Sequence, residues 1–277
     1  MDRVSAFAPG NISGVFKIIY HEDTAKMHSL GTGFTVKEGV VATVSRDSQT
    51  TVLFNEEEIR FPTVAAVVRE LTSQPIRIEI ATPLPLGCGF GLSGASALGT
   101  AYAVNALLSL GVSELELAMI AHVAEVENRT GLGDVCAQYH GGCLVKLREG
   151  HPLDAQQLPV REQPIYYRYF SPIQTKEVLE NVEQRARINE AADEALGGLE
   201  EFTRSNAVDF SAYVGVSKTF AINSGLLTDA NVQRTIEKVE SNKGAASMIM
   251  LGNAVFGTHS FEGAETTTLV KQRVRIV

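Results

Sequence analysis

Leu84–Leu110, L-P-L-G-C-G-F-G-L-S-G-A-S-A-L-G-T-A-Y-A-V-N-A-L-L-S-L, is the stretch on which the fold turns. Ile76, Ile78 and Ile80 alternate ahead of it and read as a strand. A turn containing Pro85, Gly87, Gly89 and Gly91 follows, and Ser93 opens a long run rich in Ala and Leu, the composition of a helix. Strand, glycine loop and helix start make a seat for an anion. Glycines let the backbone approach a ligand at positive φ. The first helical N–H groups have no partner within the helix and carry partial positive charge. Together they suit phosphate oxygens.

Several uses of such a loop compete. Gly89–Gly94 spells G-x-G-x-x-G, but a dinucleotide site needs a second strand ending in an acid about 20 residues on, and here one helix runs straight into another. A Walker-A loop needs Lys before its Ser or Thr, and none stands nearby. A third use is a triphosphate loop of another type, with Ser93 supplying a hydroxyl to phosphates or to their metal. The bland alternative is a tight turn into a buried helix.

Composition narrows the class. With 277 residues, 44% hydrophobic and 20% charged, the chain can bury a core in one large or two medium domains. A net charge of −8 argues against nucleic acid and anionic membrane as partners, so any nucleotide must be met by a local concentration of cations or a metal. Cys88, Cys136 and Cys143 are odd in number and form no C-x-x-C pair, as suits a reducing cytoplasm. M-D-R-V-S-A-F has no basic head and apolar core of a signal peptide. Ser93–Val112 is uncharged over twenty residues, long enough to span a membrane, but its hydroxyls, Asn105 and glycines favour a buried core helix.

Along the chain, residues 3–8 and 14–20 read as strands around an Ala8-Pro9-Gly10-Asn11 turn, and 33–45 as a hairpin about Glu38-Gly39. A short strand, 51–54, and a short helix, 63–71, precede strand 75–81. Ser113 is an expected N-cap for a helix reaching Asn128 that carries His122, Glu125 and Glu127. Thr130–Val135 reads as a loop with Asp134 at its tip, before strand 143–147. Periodicity lapses over 148–164, among Pro152, Pro159 and Pro164, and a domain boundary belongs there. Beyond it come strand 165–170, a charged helical stretch 175–203 broken near Gly197-Gly198, helices 209–222 and 230–240, and last strands at 246–251, 254–256 and 266–277. The expected class is α+β.

Glu125 and Asp134 are the acids with a prospective role. Phosphoryl transfer uses a phosphate seat, a metal and often a carboxylate beside the attacking hydroxyl. Ser93 and Glu125 would supply hard oxygens to Mg²⁺. Against this, Glu125 shares its helix with Glu116 and Glu127 and would serve equally as a solvated face, and Asp134 as a turn residue. The histidines show no metal spacing, and His122 and His140 read as packing or hydrogen-bonding residues. Met248 and Met250 read as strand core, and Tyr166, Tyr167 and Tyr169 as sheet residues.

Four separated blocks resemble the GHMP kinases, the superfamily of galactokinase, homoserine kinase and mevalonate kinase. They are Ala8-Pro9-Gly10; Pro85 to Ala95, against P-x-x-x-G-L-G-S-S-A-A; Gly133-Asp134 with Gly141-Gly142; and Gly244–Gly252. Ala8–Phe16, Gly89–Ser93, Thr130–Val135 and Ser247–Gly252 look most like the archaeal pantoate-kinase branch. The resemblance implies a two-domain fold with a ribosomal protein S5 domain 2-like N-terminal domain (1–160) and a ferredoxin-like C-terminal domain (161–277). It implies ATP and Mg²⁺ as cofactors, with nucleotide contacts from Pro85, Gly87, Gly89, Gly91, Leu92, Ser93, Gly94 and Ala95. Ser93 and Glu125 would be metal ligands, Asp134 the catalytic acid–base, and the 4-hydroxyl of (R)-pantoate the acceptor, in coenzyme A synthesis. Such kinases are often homodimers. Mevalonate or homoserine as acceptor, or a silent ligand-binding homologue, are the alternatives. Asn11 stands where the first motif often has Lys or Arg, and Leu92 replaces the first Ser of the loop. The acceptor's carboxylate calls for a cation, for which Arg129, Arg187 and Lys218 are candidates.

Overall fold

Alternating β-branched residues in the N-terminal third form two long strands, β1 (Arg3–Ile19) and β2 (His28–Arg46), paired antiparallel over nearly their whole length. The computed structural model describes residues 2–173 and 175–277. After β2 come β3 (Thr51–Phe54), β4 (Glu57–Glu58), α1 (Pro62–Leu71) and β5 (Ile76–Ala81). Three helices follow: α2 (Leu92–Leu108), α3 (Glu114–Asn128) and α4 (Asp134–His140). Strands β6 (Cys143–Lys146), β7 (Gln156–Gln157) and β8 (Gln163–Pro172) lead to α5 (Thr175–Glu180), α6 (Val182–Thr203), α7 (Phe210–Asn223) and α8 (Ala230–Ser241). The chain closes with β9 (Ala246–Met248), β10 (Gly252–Gly257), β11 (Glu265–Leu269) and β12 (Arg275–Ile276).

One sheet path runs β4-β3-β5-β2-β11-β8-β10-β9, with β1 and β6 also on β2, β12 on β1 and β7 on β6. Among the described residues, the strands before residue 160 meet those after it at two places, Val36 with Leu269 and Ala6-Phe7 with Arg275-Ile276. The Ala8-Pro9-Gly10-Asn11 turn expected from sequence is instead an irregularity inside a continuous strand. The β1–β2 register shifts between Pro9 and Gly10, opposite Gly39, so Glu38-Gly39 is not a hairpin turn either. Proline lacks a ladder donor and is tolerated inside a sheet at such a bulge. The bulge also re-aims the side chain that follows it, Asn11.

Helix α2 lies against β1 and β2 and is buried along most of its length. Its small residues permit this: a methyl added at Gly99 would sit 3.2 Å from the Ala42 side chain. No described helix is long and apolar enough to cross a membrane. Helix α3 starts at the expected Ser113, whose hydroxyl and Glu116 form a reciprocal capping box. The charged stretch after β8 breaks at Asn181 rather than at Gly197-Gly198, because Asn181 caps α6 by accepting from the Gln184 N–H. Asn189 of α6 completes β1 on the other side, accepting from Ile18 N at 2.8 Å and donating to Ile18 O at 3.0 Å.

Gly31 of β2 has φ +136°, and a Cβ there would overlap the Val15 carbonyl in the neighbouring strand. Gly31→Ala should therefore cost about 2 kcal/mol or more of unfolding free energy. Chemical denaturation checks it, and a cost under about 0.5 kcal/mol would contradict the close strand contact.

Candidate functional site

Gly87, Gly89 and Gly91 all have positive φ (78°, 82° and 61°), so the loop before α2 folds in a way other residues resist. Gly91 occupies the N-cap of α2 in the left-handed region, with no side chain to cap the helix, and leaves the first N–H groups of α2 open to a ligand. Three other segments hold the loop. Asn11 N donates to Phe90 O at 2.9 Å, and Gln138 Nε2 donates to Gly91 O at 2.7 Å. The turn after β9 packs on it backbone to backbone: a Cβ at Gly89 would lie 2.5 Å from Met250 O, and one at Gly252 would overlap the Cys88 carbonyl. That turn is the part of 246–251 expected as strand; the strand ends at Met248, and Met250 is buried in the turn.

The loop forms one wall of a cavity of about 480 Å³. Gly87, Gly89, Gly91, Leu92 and Ser93 line it, as does Asp134. Pro85, Gly94 and Ala95 do not; Gly94 and Ala95 are buried in the first turn of α2. Asp134 is the first residue of α4, a helix not anticipated in the sequence, rather than the tip of a loop.

Glu125 lies directly beneath this wall, 1% exposed, whereas Glu127 faces solvent. Thr130 Oγ1 donates to Glu125 Oε1 at 2.6 Å, while Oε2 has no partner. A Cβ at Gly131 would collide with Glu125 Oε2 and come within 3.2 Å of Asp134 Oδ2, so the two carboxylates face each other across that glycine. Asn11 Nδ2 donates to Asp134 Oδ1 at 2.7 Å. Ser93 Oγ donates to Thr63 Oγ1 at 3.4 Å.

Burial pushes the Glu125 carboxyl up to about 7, and the Asp134 charge adds to the rise, against the hydroxyls of Ser93 and Thr130. Asp134 is raised by burial as well, against hydrogen bonds from Asn11 and Ser13. No Lys or Arg is among the groups acting on either acid. A buried acid with an unpartnered oxygen and a part-buried acid, beside a serine hydroxyl, fit a hard divalent cation such as Mg²⁺. Among the described residues no cluster of three His, Cys, Asp or Glu side chains exists, so phosphate and water oxygens would complete its shell.

A second cavity, about 60 Å³, adjoins the first and shares Ser13, Phe16, Ser29 and Gly133 with it. Its cation is Lys146, which sequence reasoning missed. Lys146 ends the buried strand β6, is 8% exposed, donates to the His151 carbonyl, and has no carboxylate partner among the described residues. Burial lowers its pKa. The sequence signal was a lysine closing an otherwise apolar strand, Cys143-Leu-Val-Lys146. Of the cations expected from sequence, Arg129 lines the larger cavity and pairs with Glu180. Arg187 bonds the Asn223 carbonyl and Lys218 pairs with Glu240; neither lines either of these two cavities.

Residues 60–142 match the family model for the GHMP kinases N terminal domain. The chain is 31% identical to the pantoate kinase of Methanospirillum hungatei, over 98% of this chain and 91% of that protein. It is 32% identical to the pantoate kinase of Methanocaldococcus jannaschii, over 90% of each. A homoserine kinase of Halorubrum lacusprofundi is 34% identical over 46% of this chain and 48% of its own. Among solved structures, a phosphotransferase related to the CoA biosynthesis pathway superposes with TM-score 0.84 at 24% identity, covering 99% of this chain and 98% of that one. Mevalonate-3-kinase from Thermoplasma acidophilum superposes at 0.69 and 11% identity, covering 100% and 98%. These structures share the mixed α/β fold.

An acid whose folded pKa is raised keeps a proton that the unfolded chain has released. For Glu125 the window runs from its ordinary 4.5 to about 7, so metal-free stability falls as pH rises through it. Thermal unfolding without metal should show a lower Tm at about pH 8 than at about pH 5, and millimolar Mg²⁺ should raise Tm mainly at the higher pH. An equal Mg²⁺ effect at both would contradict a cation bound at Glu125.

Proposed function

The chain belongs to the GHMP kinase family, and on that premise we propose that it transfers the γ-phosphoryl group of ATP to the 4-hydroxyl of (R)-pantoate, a step of coenzyme A synthesis. One juxtaposition carries the proposal. The larger cavity has the anion-seating loop on its wall, the smaller has an unpaired lysine, and both are lined by Ser13 and Gly133, next to Asp134. A nucleotide triphosphate in the first and a small carboxylate in the second would meet at Asp134. Pantoate kinases are relatives over nearly the whole chain, which favours pantoate among small hydroxy acids. Residues 1–160 and 161–277 are retained as the two domains of this kinase.

In this mechanism the glycine loop and the open N–H groups of α2 bind the phosphates. Ser93 and Glu125 would hold Mg²⁺, which when bound neutralises phosphate charge. Lys146 receives the acceptor carboxylate. Asn11 holds Asp134 Oδ1 through a donated hydrogen bond, at the edge of the cavity that Ser13 and Gly133 also line. The 4-hydroxyl oxygen attacks the γ-phosphorus, its bond to the β-bridging oxygen breaks, ADP leaves, and the hydroxyl proton passes to Asp134. Burial of the acid supports this last role by raising its proton affinity.

An ADP-release assay with pantoate, mevalonate and homoserine tests the acceptor. Turnover should be fastest with pantoate; ATP binding without ADP release for any of them would favour a sensor instead. Asp134→Asn should lower kcat roughly 10²–10⁴-fold while ATP still binds. Lys146→Met should raise the pantoate KM about tenfold or more, with the ATP KM within about twofold. Near-normal kcat in the first variant or an unmoved pantoate KM in the second would remove those assignments.

A further inference from the structure

Gln138 is fully buried and lies one turn beyond Asp134 on α4, on the same side of that helix. Its Nε2 donates to Gly91 O at 2.7 Å, and the same carbonyl accepts the first bond of α2, from Ala95 N at 3.0 Å. A carbonyl only accepts, so the amide nitrogen must face Gly91 and the amide oxygen must turn the other way. That oxygen, Oε1, is buried without a partner. It shares its surroundings with the orphaned Oε2 of Glu125. A methyl added at Gly94 would come within 3.0 Å of Gln138 Oε1 and 3.2 Å of Glu125 Oε2.

Two unpartnered acceptors therefore border one spot, beside Ser93 and under the phosphate loop. Neither can satisfy the other while Glu125 is ionised, and each is destabilising until something donates to it. Mg²⁺ gives up its waters reluctantly and keeps several of them, and each such water is a double donor. The backbone of Gln138 is fixed as well, since its carbonyl accepts from Val274 N at 3.0 Å.

We propose that Gln138 is a positioning residue of the metal–nucleotide site: Nε2 sets the phosphate loop at Gly91, and Oε1 accepts from a water of the cation's shell. This rests on reading the cavity as a metal–nucleotide site. It explains why a glutamine with one satisfied and one unsatisfied end is buried next to Asp134. It also ties the helix bearing that acid to the N-terminus of α2, so loop and acid move as one unit.

Calorimetry of ADP binding with and without Mg²⁺ tests this, on wild type, Gln138→Met and Gln138→Glu. Gln138→Met has similar volume and neither polar end. It should lose about tenfold or more of the affinity that Mg²⁺ adds to ADP, with the pantoate KM within about twofold. Gln138→Glu keeps an oxygen but loses the donor, so it should bind Mg²⁺-free ADP more weakly than wild type while keeping the gain from Mg²⁺. A Met variant with the full wild-type gain would overturn the proposal even if its Tm drops, since a merely structural glutamine would behave that way. Should the Met variant not fold, loss of the Mg²⁺ gain in Gln138→Glu would overturn it. A wild-type protein that gains nothing from Mg²⁺ would overturn the metal–nucleotide reading and this role with it. Failure of the kinase reading is seen separately, as absence of ADP release with any acceptor.

Discussion

A buried carboxylate beside a part-buried one, with no Lys or Arg among the groups acting on either, is the constraint on which the rest of the site depends. Glu125 and Asp134 come from different helices, yet both face Gly131 and both are pushed toward the protonated form by burial. A fold tolerates such a pair only if it keeps protons or acquires a cation. The surroundings favour a cation that arrives with an anionic ligand: a serine hydroxyl at a helix start, an uncapped helix N-terminus, and a loop with three alternate glycines at positive φ. Each of these attracts negative charge or supplies a hard oxygen.

The backbone features that look like defects build this arrangement. The β1 bulge at Pro9-Gly10 turns Asn11 toward Asp134, so one carboxylate oxygen is occupied by a neutral donor. Gly252 and Gly89 let the turn after β9 touch the glycine loop backbone to backbone, so residues far apart in sequence brace the same loop. Strain and close contact are concentrated where the ligand would sit, as expected when geometry must be held before binding.

Much of this was legible in the residues, and the misses have physical reasons. The alternation of Ile76, Ile78 and Ile80, the glycine loop and the Ser113–Glu116 box are local signals, and each element stands where expected within a residue or two. Ala8-Pro9-Gly10-Asn11 misled because turn composition and bulge composition are alike; only the partner strand decides between them. Helix α4 was missed because seven residues carry too little periodicity to register. Glu125 and Glu127 were separable only by which face of α3 is buried. Lys146 escaped because its significance lies in lacking a partner, which no sequence pattern records.

The most direct measurement is a crystal structure with ADP and Mn²⁺, locating the metal by its anomalous scattering. We predict one strong site in contact with Glu125 Oε2 and Ser93 Oγ, with the nucleotide phosphates on the N–H groups of residues 91–94. Manganese bound away from Glu125, or phosphates seated elsewhere than on the start of α2, would contradict it.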